Sequence, residues 1–102
     1  MGVLTREHRM GVIAVSIDVA SVAANTTAEQ SFAVAGLTTD MFVAVSKPSA
    51  SAGLGICNAR VGAAGTLALT FNNNTAAPID PAAETYLVFW LKPESLDAAV
   101  RL

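Results

Sequence analysis

The chain is 102 residues long with a formal net charge of −2, and 53% of it is hydrophobic against 14% charged. That length supplies one compact domain and not two, and high hydrophobicity with little net charge excludes intrinsic disorder. Soluble chains carry roughly 25% charged residues, so this surface is unusually neutral, and six Lys and Arg scattered along the chain form no basic stripe for nucleic acid.

The N-terminal residues 1–10 hold Arg6, Glu7, His8 and Arg9, a far higher charge density than the middle of the chain, and read as an arm. The apolar run Val12-Ile13-Ala14-Val15 that follows is broken by Ser16 and Asp18. It is too short for the apolar core of a signal peptide, so export by that route is not expected. The longest uncharged stretch, between Arg60 and Asp80, contains Gly62, Gly65, Asn72, Asn73, Asn74 and Pro78. No segment of about 20 residues is continuously apolar, and no membrane partner is expected.

Residues 11–92 read as strands and turns. Val12 to Ile17 is β-branched and short. Ala20 to Thr27 is a connection, with Asn25 suited to a turn. Glu29 to Ala35 alternates, with Phe32 and Val34 on one face, and Gly36 ends it. Met41 to Ser46 stops at Lys47-Pro48, and Ser49 to Gly53 is a loop of small residues. Gly55 to Val61 precedes a turn at Gly62-Ala63-Ala64-Gly65, and Thr66 to Phe71 alternates with Leu67, Leu69 and Phe71 inward. Asn72 to Pro81 is a loop, and Glu84 to Leu91 closes the domain. Six short strands punctuated by turn residues predict an all-β fold, a small antiparallel β-sandwich or barrel. Ala favours helix, yet Thr, Val, Gly and Asn interrupt every Ala-rich run. The tail, residues 93–102, is the exception. Pro93 at its start and Leu96, Ala99 and Val100 at helical spacing predict a short helix that needs a docking surface.

Two strands are apolar on both faces. Tyr86, Val88 and Trp90 share one side of the last strand, and Leu87, Phe89 and Leu91 share the other. Phe42 opposes Met41, Val43 and Val45 in the same way. A covering loop or tail is one explanation. Contact with another subunit is the other, and it is favoured because a small domain has little interior in which to hide two such strands.

Chemistry is sparse. Cys57 is the only cysteine and His8 the only histidine, which excludes an internal disulfide and a thiolate metal centre. Cys57 sits in an apolar alternation and is expected in the core. Gly53-Leu54-Gly55 lacks the third glycine of a phosphate loop. Asp80 and Glu84 form a conceivable acid–base pair, but carboxylates beside Pro81 are ordinary turn formers. The same carboxylates with Asn72, Asn73 and Asn74 offer oxygens for a calcium alternative. Neither catalysis nor a cofactor is expected.

Several ordered segments carry a resemblance: Ser21 to Gln30, Lys47-Pro48, Ala52 to Ile56, Asn58 to Val61, Gly65 to Phe71, Asn74-Thr75, and Ile79 to Tyr86. Over about residues 15–90 the chain resembles a group of small virion proteins encoded by tailed bacteriophages, described as decoration or fibre-associated proteins. The resemblance implies a structural role on a phage particle made in the host cytoplasm. Foremost is a capsid decoration or cement protein on the outer head surface, binding between subunits of the major capsid protein. A homotrimer at local three-fold positions is expected first and a dimer second. A head or tail fibre or adaptor subunit is the alternative, and a carbohydrate- or ligand-binding sandwich module is the third reading. The expected subunit or capsid contacts are Arg6, His8 and Arg9 in the arm, Met41, Val43, Tyr86 and Trp90 in the two-faced strands, and Leu96 and Leu102 in the tail.

Overall fold

The computed structural model describes residues 8–93. They form six strands: β1 (His8–Ile17), β2 (Thr26–Ala33), β3 (Phe42–Ser46), β4 (Leu54–Ala63), β5 (Thr66–Asn73) and β6 (Glu84–Pro93). The strands make two three-stranded antiparallel sheets, ordered β1-β6-β3 and β2-β5-β4. The fold is therefore all-β and two-layered, with no closed barrel, and none of the described residues is helical. The helix expected in the tail lies outside the described residues, except that Pro93 belongs to β6.

Alternation builds the layers. Leu67, Leu69 and Phe71 on central β5 and Tyr86 and Val88 on central β6 are all 0% exposed, and the two sheets meet across them. Ile17, Val43 and Val61 extend this core along the flanking strands. Only β4 and β5 form a sequential hairpin, through Ala64-Gly65; every other connection crosses between the sheets. The crossings carry their own apolar anchors, Val19 and Val22 after β1, and Val34 and Leu37 after β2, all buried. Backbone pairing ties them down. Val22 and Ile79 exchange N–H···O bonds of 2.8 and 3.0 Å, and the Gly65 amide donates to Leu37 at 2.8 Å.

Asn73, 0% exposed in the core, is satisfied. Its amide nitrogen donates to the carbonyls of Val22 at 3.0 Å and Ala77 at 2.9 Å, and its oxygen accepts the Thr75 amide at 2.9 Å. Gly53 closes the same corner at φ +84°, where a Cβ would collide with the Thr75 side chain. Only glycine fits both demands.

Several strand edges differ from expectation. β1 starts at His8, so the last three residues of the expected arm continue the ladder, His8 opposite Pro93 and Met10 opposite Leu91. β2 is displaced toward the N-terminus and ends at Ala33, leaving Val34 to anchor the crossing. Gly62 and Ala63 belong to β4, and Asn72 and Asn73 to β5.

Candidate functional site

The outer face of the β1-β6-β3 sheet is where the molecule departs most from a water-facing surface. The register sets out three cross-strand rows. Met10 and Phe42 flank Leu91, Val12 and Ala44 flank Phe89, and Ala14 and Ser46 flank Leu87. Eight of these nine side chains are apolar, the ninth is Ser46, and none is charged. Val12 is 62% exposed, Met10 61%, Phe42 60% and Leu87 48%. Scattered exposed apolar residues are ordinary; here they are contiguous, which makes this face the candidate site.

These residues point outward because the opposite parity is already committed. Ile13, Val15 and Ile17 of β1, Val43 and Val45 of β3, and Tyr86, Val88 and Trp90 of β6 all pack into or against the core. The Trp90 indole lies over Gly11, its cross-strand neighbour, where a Cβ would come within 2.9 Å of the ring. Any slip of β1 by one residue would exchange its two faces, so the register is firmly set.

The outer face of the β2-β5-β4 sheet has the opposite chemistry. Thr27, Glu29 and Ser31 of β2, Thr70 and Asn72 of β5, and Asn58 and Arg60 of β4 occupy it. Arg60 grips Glu29 with two prongs, Nε to Oε2 and Nη2 to Oε1, both 2.8 Å. The bridge spans β5, whose Ala68 between the two edge strands is buried. The hydrogen bond from Arg60 holds the Glu29 carboxyl below its ordinary range, and the bond to Glu29 raises Arg60. Thr27 donates to Asn72 Oδ1 at 3.0 Å.

The chemically suggestive residues are occupied elsewhere. Glu84 accepts Lys47 Nζ at 2.7 Å and Ser49 Oγ at 2.8 Å, and these two bonds lower its pKa, the one from Lys47 foremost. It is a clamp between β6 and the β3–β4 loop. Asp80 stands exposed, the Asn73 oxygen is turned to Thr75, and the Asn72 oxygen accepts from Thr27. Among the described residues no three His, Cys, Asp or Glu side chains gather as a metal group. Cys57 is exposed, correcting its expected place in the core. It follows inward-facing Ile56 and falls at a register shift between Ile56 and Asn58, so both Cys57 and Asn58 face out. The Tyr86 hydroxyl is buried with no hydrogen-bond partner among the described residues, and burial raises its pKa.

The expected contact residues divide into four sets. Tyr86, 0% exposed, and Val43, 5% exposed, face the core, so they are not surface contacts; the outward parity belongs to Leu87 and Phe42. Met41 and Trp90 are half-buried and pack on the core. With Arg9, Ile13, Leu37 and Lys92 they line an open cleft of about 410 Å³, which brings three expected residues together. His8 sits in the ladder opposite Pro93. Arg6, Leu96 and Leu102 lie outside the described residues. Met10, Val12, Phe42 and Leu87 were not among the expected contacts. The signal for them was parity: once Ile13, Val15 and Ile17 face in, Met10, Val12 and Ala14 must face out.

A scan against protein-family models and searches of curated proteins and of solved structures each find no match to this chain.

Proposed function

We propose that this chain is a non-enzymatic structural subunit of a tailed-phage particle, a decoration protein that sits between major capsid subunits on the outer surface of the head and stabilises it. One observation carries the reading. The sandwich has a solvent-adapted outer face on one sheet and an uncharged, apolar outer face on the other, the arrangement of a subunit that works by being covered. Burying such a face contributes about 25 cal/mol per Å² of apolar surface, so many copies on a lattice add up to substantial stabilisation. The resemblance of residues 15–90 to small phage virion proteins supplies the setting. The clamped carboxylate at Glu84 favours this reading over catalysis, since its oxygens are engaged by Lys47 and Ser49.

The test is location. In purified particles separated into heads and tails, the chain is expected in the head fraction at a copy number commensurate with the capsid lattice. Recovery with tails alone would replace the decoration role with the fibre or adaptor role. Absence from both fractions would overturn the virion reading.

A further inference from the structure

We infer that the outer face of the β1-β6-β3 sheet is covered by the same face of a second copy of this chain, in a two-fold, face-to-face pair; the inference deepens the structural-subunit reading and rests on it. Self-complementarity is the first ground. The nine side chains of the three rows carry no charge, so they offer nothing to select an acidic or basic partner, and two copies meet there without repulsion. Its relief is the second. The Met10–Leu91–Phe42 row is bulky, the Val12–Phe89–Ala44 row intermediate, and the Ala14–Leu87–Ser46 row shallow. A two-fold axis lying between the sheets, perpendicular to the strands and through the middle row, places the bulky row of each copy on the shallow row of the other. The two wedges then fill one another, and sheets stack in this manner at about 10 Å.

Area is the third ground. Three strands at about 4.8 Å spacing and five residues at about 3.4 Å each give a face of roughly 14 by 17 Å. Two such faces bury at most about 1,000 Å² even with the relief of the protruding side chains included, at the very bottom of the range for a specific pair, so the dimer is expected to dissociate on dilution. An isologous contact closes at two copies. The geometry therefore favours the dimer over the trimer that the resemblance put first.

Sedimentation equilibrium of the full chain from about one micromolar to several hundred micromolar tests this, alongside Val12→Glu. Val12 is 62% exposed, so the variant is expected to keep the wild-type circular dichroism and melting behaviour at low concentration. The wild type is expected to pass from monomer to dimer, and Val12→Glu to remain monomeric throughout. A second pair fixes the geometry. Met10→Lys and Ala14→Glu are each expected to weaken self-association by tenfold or more, and their equimolar mixture to recover a heterodimer, because position 10 of one copy faces position 14 of the other. A wild type that stays monomeric, a trimer, a Val12→Glu variant that still dimerises, or a mixture without recovery would each overturn the inference. A monomeric wild type that still binds heads, and loses binding on Val12→Glu, would leave the decoration reading standing with capsid protein as the occupant. A monomer that Val12→Glu unfolds would assign the face to the chain's own terminal segments.

Discussion

The two outer faces of this sandwich are built on identical scaffolds, three antiparallel strands each, and they solve opposite problems. On β2-β5-β4 the outward positions are mainly Thr, Ser, Asn, Glu and Arg, beside the exposed Cys57, and an ion pair arches over the buried Ala68. On β1-β6-β3 the three facing rows are Met, Val, Leu, Phe and Ala with the single Ser46, and the exposed Ser16–Thr85 pair ends the face. Both inner faces are apolar, so the fold's demand for a core is met equally by the two sheets. Nothing about folding requires the second apolar surface. Among the described residues the large exposed hydrophobics, Met10, Val12, Phe42 and Leu87, all lie on that one face.

If that division holds, substitutions on the inner faces must cost the fold itself. The largest effect is expected at Phe71, which is 0% exposed at the centre of the core. Phe71→Ala should lower unfolding free energy by about 3–5 kcal/mol in chemical denaturation, the range for removing a buried aromatic ring. A loss below about 1 kcal/mol would mean that the two sheets do not share the tight interior described. Gly11 comes next. Gly11→Ala places a methyl against the Trp90 ring, which is half-buried and packed on the core, and should cost about 1–3 kcal/mol as overpacking. Trp90 is the only tryptophan, so the same variant should shift the intrinsic fluorescence. An unshifted spectrum would show that the indole does not lie on Gly11.

Much of this architecture is legible in the sequence, and each failure has its own physical cause. The strand at 66–71 alternates cleanly, and its Leu67, Leu69 and Phe71 are the core residues expected. All six strands fall where turn residues bracket β-branched or aromatic runs. For β3 and β6, apolar residues on both faces reveal that something must cover the second face, but alternation is symmetric and does not say which is which. Tyr86 and Val43 have the look of contact residues and turn inward; Leu87 and Phe42 turn outward. The tie is broken only by pairing, because Ile13, Val15 and Ile17 of β1 fix which side of the sheet is the core. Charge misleads at the start of β1. Arg9 suggests a solvated arm, yet an edge strand tolerates charged ends, and the ladder runs on to His8. Cys57 shows the reverse error, since an apolar neighbourhood outweighs parity on paper and a register shift settles the matter in the fold.

The smallest effects are expected from the ion pairs, and they rank by exposure. In the Lys47–Glu84 clamp the side chains are 13% and 18% exposed, against 54% and 35% for Arg60 and Glu29. Both glutamates have pKa values held below the ordinary carboxyl value of about 4.3 by bonds to their cationic partners. A carboxyl depressed in the folded state contributes stability that is fully present above its unfolded pKa and is lost as pH falls through the lower folded value. The melting temperature is therefore expected to drop below about pH 4, and Glu84→Gln and Glu29→Gln should each remove part of that slope. The two pairs should separate in salt. Raising ionic strength to 1 M screens the open Glu29–Arg60 bridge more than the sheltered clamp, so at high salt Glu29→Gln should become indistinguishable from wild type while Glu84→Gln stays measurably less stable. Equal salt sensitivity would mean that the clamp is as open to water as the bridge, and that the polar surface of this molecule is a single environment extending from the β2-β5-β4 face to the β3–β4 loop.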